Sequence, residues 1–387
     1  MGRPLRKEQY SPEEVAIVHC VQRCVRRAFL AGVDEKTGKD FGFRREWIRR
    51  RMEALASVFG CDVLTYAIMS NHMHVILRTR PDVVAQWSDE EVAIRWLRVF
   101  PGKRLDEHLG EPTDHDVETL VRNKERLAEV RLRLSDISWF MRALSEPIAR
   151  MANKQDECTG RFWEGRFKAQ RITDEAGLLA CAMYVDLNPI RAAMASSPDQ
   201  AKHTSAYDRI HGDKGKVIDS AAMQLKPVSR EQAAEDLKTT PVAKLKEKRA
   251  QRRKRGTGQR IRRDAWLAPL TLGRHDTSEK PQPNKQGLRA SDKGFLCLKL
   301  NEYLELLRWT ARQGPTKKSA RSDIPKAAAK AVSKLGIDLS MWCDLVWNYR
   351  KYFSSCAGSP SSMSEHAKSS GHHWAKGQAS VSECFLS

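Results

Sequence analysis

The chain has 387 residues, enough on length alone for two or three modest domains, and its 41% hydrophobic content supports at least one substantial core. Its 68 Lys+Arg against 48 Asp+Glu leave a net charge of +20, which favours a polyanionic partner: nucleic acid first, an anionic membrane surface second. No apolar run approaches the roughly 20 residues that span a bilayer, the opening MGRPLRKEQYSPEE lacks the apolar stretch of a secretory leader, and nine scattered cysteines without a Cys-x-x-Cys pair suit reduced thiols in a cytoplasm. In chain order, Val15 to Val21 reads as a strand and Trp47 to Phe59 carries helical spacing. Val63 to Met69 and His72 to Thr79 read as two β runs joined by Ser70-Asn71, a hairpin. The charged stretch from Asp82 to Leu134 reads as helical and mostly solvated, and Ile137 to Met151 as another helix. A short strand at Phe167 to Ile172 precedes a helix from Asp174 to Leu187, which Thr173 can cap. Strand, helix, strand, strand, helix, strand, helix predicts an α+β fold: a ferredoxin-like, largely antiparallel sheet with helices packed on it, over residues 9–212 with an insert at 82–134.

Residues 213–290 show no sustained apolar period. Within them, 244–263 hold eleven Lys/Arg and one Glu, a density of like charge that resists compaction and reads as a flexible basic linker. Residues 291–353 read as a small helical module, with Asn301 capping one helix, Pro325 opening a second and Ser340 preceding a third that carries Trp342, Leu345, Val346 and Tyr349. The Ser-rich stretch 354–387 reads as a disordered tail.

Three local patterns carry chemistry. In Asn71-His72-Met73-His74-Val75-Ile76-Leu77, strand alternation puts His72 and His74 on one face, where two imidazoles can chelate one metal ion; two unrelated histidines would produce the same letters. In Tyr184-Val185-Asp186-Leu187-Asn188-Pro189, helical spacing sets a phenol and an amide side by side; a core tyrosine followed by an Asn cap before proline is the plainer reading. Asn188 precedes a proline, which disfavours the helical region, so the helix is expected to kink or stop there. In Gly160-Arg161-Phe162-Trp163-Glu164-Gly165-Arg166-Phe167-Lys168, cations alternate with aromatics. The cations suit phosphates and the rings suit base stacking, or the rings are the buried feet of a solvated hairpin.

Taken in series, the strand bearing His19 and Arg23, the His72-Met73-His74 triplet, the Arg161–Lys168 segment and Tyr184-x-x-x-Asn188-Pro189 resemble the single-tyrosine transposases of the HUH endonuclease superfamily. The branch they match best is the REP-associated tyrosine transposases, over about residues 9–212. The resemblance implies Tyr184 as nucleophile, His72 and His74 as the metal-binding pair, and Asn188 as the third metal-binding group on the tyrosine helix. It implies a divalent cofactor, Mg²⁺ or Mn²⁺, and single-stranded or hairpin DNA as partner, with Arg23, Arg161, Arg166 and Lys168 expected at the DNA. The linker cations Arg252, Arg253, Lys254 and Arg255 are expected to add sequence-independent affinity. It leaves monomer and homodimer both open. The insert at 82–134 is longer than in compact members, and the extra C-terminal half has no counterpart that assigns it a role. A domesticated hairpin-binding protein without cleavage, and an RNA-binding protein, are the competing readings; a hydrolase of small substrates suits this charge poorly.

Overall fold

The computed structural model describes residues 10–25, 31–33, 38–102, 111–219, 258–273, 280–314 and 324–386, with the single residues 229 and 231. Its centre is a sheet of β1 (Ile17–Arg23), β2 (Cys61–Ile68), β3 (His72–Thr79), β4 (Lys168–Ile172) and a short β7 (Cys356–Ala357), ordered β2-β3-β1-β4-β7. The first four pair antiparallel and the last runs parallel to β4. This is the strand order of a ferredoxin-like split βαβ, so the α+β fold expected from the strand and helix order is what the chain adopts. Met69 N–H donates to His72 carbonyl oxygen at 2.8 Å, closing the hairpin across Ser70-Asn71.

Each face of the sheet has its own core, because alternate residues of one strand point to opposite sides. Val18, Cys20, Met73, Val75 and Leu77 face α1 (Arg44–Ala56) and α6 (Ile137–Gln155), the two helices of the split βαβ. Between β3 and α6 the chain forms α2 (Pro81–Val84), α3 (Asp89–Val99), α4 (Asp114–Arg122) and α5 (Lys124–Leu134). This insert is helical as expected but not mostly solvated: Val92, Trp96, Val117, Leu127, Val130 and Leu134 join the same core, and the charges occupy the outward faces.

The opposite face receives α7 (Glu175–Arg191), buried without interruption from Ala176 to Pro189. A helix apolar all round is covered on all sides; the sheet covers one side and the C-terminal half covers the other. Asp174, not Thr173, caps α7: its side chain accepts from Gly177 N–H at 2.8 Å, while the Thr173 hydroxyl donates to Ala357 carbonyl oxygen at 3.2 Å. A Cβ on Gly177 would lie 2.4 Å from that same carbonyl oxygen, so only glycine lets β7 approach the helix. The helix runs through Pro189 to Arg191 and does not stop at Leu187, since a proline in the last turn forfeits one backbone bond only.

The described residues of the C-terminal half share a core with the sheet domain, where a separate module and a disordered tail were expected. After α8 (Ser205–Ile210), β5 (Lys216–Asp219) pairs with β6 (Gly258–Ile261), and Trp266, Leu267, Ala268 and Leu270 are buried beyond it. Residues 232–257, including Arg252, Arg253, Lys254 and Arg255 and most of the basic run, lie outside the described residues. Helices α9 (Leu300–Gln313), α10 (Lys326–Lys334), α11 (Trp342–Trp347) and α12 (Tyr349–Tyr352) share one apolar core with α7. Lys299 and Met341 stand at the N-caps that Asn301 and Ser340 were expected to provide or precede, while Pro325 does open α10. The stretch after residue 354 is ordered as β7, α13 (Pro360–Ser369) and α14 (Gln378–Ser382), because Ser359 N–H and the Ser362 hydroxyl, each 2.7 Å away, donate to Asp174. No helix of the described residues is long and apolar enough to cross a membrane.

Candidate active site

On the α7 side of the sheet, strand pairing lines up a polar stripe. Val21 pairs with His74, Arg23 with His72, His19 with Gln170, and Val21 with Lys168, and paired residues share a face. His72 and His74 therefore point the same way as His19, with ring centroids 4.9 Å apart for the first two and 5.1 Å for His19 and His74. These residues and Tyr184 line a cavity of about 620 Å³ whose far wall is Tyr349 and Arg350 of the C-terminal half.

Hydrogen bonds set the tautomers. The Gln170 amide nitrogen donates to Ser354 carbonyl oxygen at 2.9 Å, so its oxygen faces inward, accepting from the Tyr349 hydroxyl at 2.8 Å and from His19 Nδ1 at 3.1 Å. Burial holds His19 neutral, pushing it down to about 4, against the pull of Gln170 and with the Arg350 charge assisting. A neutral ring with its proton on Nδ1 has a bare Nε2, which accepts from His74 Nδ1 at 2.8 Å. That leaves His74 Nε2 as a bare lone pair, buried and without a hydrogen-bond partner among the described residues. His72 reaches the same state by its own route: Nδ1 lies 2.6 Å from the Asn71 side-chain oxygen, an acceptor, so Nε2 is again bare. Burial, then the Arg23 and Arg350 charges, lower His72 to about 4; burial and its histidine neighbours push His74 well below the imidazole range. Two neutral imidazoles, each fixed through Nδ1 and open at Nε2, are the form in which histidine binds a metal.

Tyr184 stands edge-on to His74, centroids 5.5 Å apart at 89°, and stacks on Tyr349 at 4.8 Å and 18°. Burial raises its phenol; the Arg191 and Arg350 charges pull the other way, Arg191 lying 5.5 Å over the ring. Asn188 sits one turn on, but it does not line the cavity: its amide nitrogen donates to Tyr184 carbonyl oxygen at 2.9 Å, on its own helix. No group of three or more His, Cys, Asp or Glu that could hold a metal occurs among the described residues. The imidazole pair fits a divalent ion whose shell oxygen donors would complete, and Glu164 is a carboxylate on the wall of the same cavity.

Arg23, Arg166 and Lys168 line the cavity; Arg161 is exposed outside it. The 160–168 segment extends the β1–β4 edge, through Val25 N–H to Phe162 carbonyl oxygen and Glu164 N–H to Arg23 carbonyl oxygen, both 2.9 Å. Its aromatics are structural: Phe162 and Phe167 are buried, and Trp163 donates to Ser145 carbonyl oxygen at 2.8 Å. Base stacking by these rings is thus replaced by the buried-feet arrangement, with the cations left outside. His19 appeared in the sequence only as a strand marker, and Gln170, Tyr349 and Arg350 not at all as site residues. Lys168-x-Gln170 alternation on β4 held a signal for Gln170, whereas Tyr349 and Arg350, so far along the chain, held none.

No protein-family model and no curated protein matches the chain. Among solved structures, a REP-associated tyrosine transposase bound to a REP hairpin superposes with a TM-score of 0.30 at 10% identity, over 51% of this chain and 82% of that one.

Proposed function

We propose that the protein cuts and rejoins single-stranded DNA, with Tyr184 as nucleophile and a divalent ion, Mn²⁺ or Mg²⁺, held by His72 and His74 with the Asn188 amide oxygen as third donor. The carrying observation is the edge-on placement of the Tyr184 phenol at 5.5 Å from His74 on the wall of a cavity that cations also line. Imidazole ligation tilts the ion toward Mn²⁺, and when bound it would polarise the phosphate oxygens on which charge builds. Arg23, Arg166 and Lys168 steer the phosphate backbone toward the tyrosine. The Tyr184 oxygen bonds to phosphorus, the bond to the 3′ oxygen breaks, and the phenol proton ends on the departing 3′-hydroxyl. The product is a 5′-phosphotyrosine, which the 3′-hydroxyl of another strand reverses without ATP.

Incubation with a panel of single-stranded DNA hairpins and Mn²⁺ should yield a covalent protein–DNA adduct on a denaturing gel. The double variant His72→Ala/His74→Ala should lose more than about 100-fold in Mn²⁺ affinity, read by electron paramagnetic resonance, and should form no adduct. Mn²⁺ binding at wild-type strength in the double variant would remove the histidines from the site. Burial, which raises the Tyr184 phenol, favours one alternative, hairpin binding without cleavage; tight hairpin binding with no adduct in wild type would select it.

The eight Lys/Arg within 244–257 should raise DNA affinity without choosing sequence. Deleting that run should flatten log K against log salt by about 0.7 for each single-strand phosphate it neutralises. A deletion that keeps the salt slope but abolishes discrimination between hairpins would assign sequence reading to the run.

A further inference from the structure

The C-terminal half reaches the cavity through Tyr349, Arg350, Phe353 and Ser354, of which Arg350 alone carries a charge. Tyr349 is buried, stacked on Tyr184 and hydrogen-bonded to Gln170, so its backbone position is tied to the sheet and to α7 at once. The turn before it is held by Asp344, which accepts from the Asn348 amide at 2.7 Å and from the Tyr352 hydroxyl. Arg350 follows on this rigid base. Its side chain is exposed, lines the cavity, and makes no hydrogen bond or ion pair with a described residue. The more buried arginines are committed to carboxylates: Arg78 and Arg80 to Asp62, Arg49 and Arg263 to Asp208. A guanidinium fixed at its base and without a partner among the described residues, beside a tyrosine, is placed to receive an anion, and its planar fork matches phosphate.

We propose that Arg350 is a phosphate-binding residue of the active site, delivered by the C-terminal half, with Tyr349 as the positioning residue that aims it at the phosphate Tyr184 attacks. This rests on the single-strand DNA reading of the site. The Arg350 charge acts on His19, His72, His74 and Tyr184, which line the same cavity. The C-terminal half thereby becomes part of the active site and not an appended module.

The test uses the full chain and a fluorescein-labelled, mixed-sequence DNA single strand in EDTA, with binding followed by anisotropy across a salt series. Arg350→Gln should weaken binding several-fold and flatten the salt slope by about 0.7, the value for one phosphate no longer neutralised. Arg350→Lys should restore the slope, and Arg122→Ala, an exposed cation on the opposite layer, should leave it unchanged. Melting of Arg350→Gln should match wild type, because no described residue depends on that side chain. A wild-type slope in Arg350→Gln overturns the proposal even if wild type forms a Tyr184 adduct. A flattened slope with no adduct from wild type leaves Arg350 as the phosphate-binding group and removes only the cleavage.

Discussion

Replacing Tyr184 with Phe should abolish the covalent adduct and strand cleavage while leaving the fold and hairpin binding intact. The substitution removes one oxygen. The ring keeps its stack on Tyr349 and its edge-on contact with His74, both of which are contacts of carbon surface. The stability change should stay within about 0.5–1.5 kcal/mol, the net worth of an ordinary hydrogen bond. Chemistry has no such reserve. Tyr349, the other phenol on the cavity wall, donates its proton to Gln170 and is pushed well above the phenol range, burial first, so it cannot supply a phenolate. Tyr66 is buried and bound to Asp208 at 2.8 Å. An adduct from Tyr184→Phe at the wild-type rate, mapped by peptide mass spectrometry to any other residue, would remove Tyr184 from the mechanism.

The largest stability effect is expected far from the chemistry, at Asp62 on β2. This fully buried carboxylate accepts from Arg78 at 2.7 and 3.0 Å and from Ser291 through its N–H at 2.9 Å and its hydroxyl at 2.7 Å; Arg80 lies 3.4 Å away. Asp62→Ala would leave the buried Arg78 guanidinium without its carboxylate, while Arg80 keeps Asp82, and breaking a buried pair by removing one partner costs about 3–5 kcal/mol. Ser291 belongs to the C-terminal half, so the loss should fall on the whole body and appear in urea as one cooperative transition moved to lower concentration. Two separate transitions, with only the later residues melting early, would show instead that the halves fold independently. A shift under about 1 kcal/mol would mean that the arginines find other partners.

Asp208 makes the same point at a second place. It receives Arg49 of α1, Tyr66 of β2 and Arg263, so one buried carboxylate joins a helix, a strand and the segment after β6. Asp186 on α7 does it again, accepting from the Ser205 hydroxyl at 2.6 Å and from the Tyr303 hydroxyl of α9 at 2.7 Å. No local pattern singles out these three charges as buried, because the partners that permit their burial are separated from them by tens to hundreds of positions.

Elements whose signal is local were legible in the chain of letters. Strand alternation in HMHVILRT placed His72 and His74 on one face, and the two-residue Ser70-Asn71 link marked the hairpin; only the pairing with IVHCVQR added His19 to that face. The helix bearing Tyr184 was visible from its apolar run, though Asp174 and not Thr173 caps it, and the order of elements was enough for the α+β class. What meets that face was settled only by long-range packing. The stretch Ala176–Val185 of this helix carries no charge on any side, a pattern that demands a second cover without saying which segment provides it. The cover is α9 to α12, and with it come Tyr349 against Tyr184 and Arg350 at the cavity. Ordering of the Ser-rich end followed the same rule: Asp174, read from the sequence as a first-turn acid, also anchors Ser359 and Ser362. Periodicity reports which side of an element is buried, because that is a property of neighbouring residues; the identity of what buries it is a property of the closed chain, fixed by shape and by which buried charge finds its counter-charge.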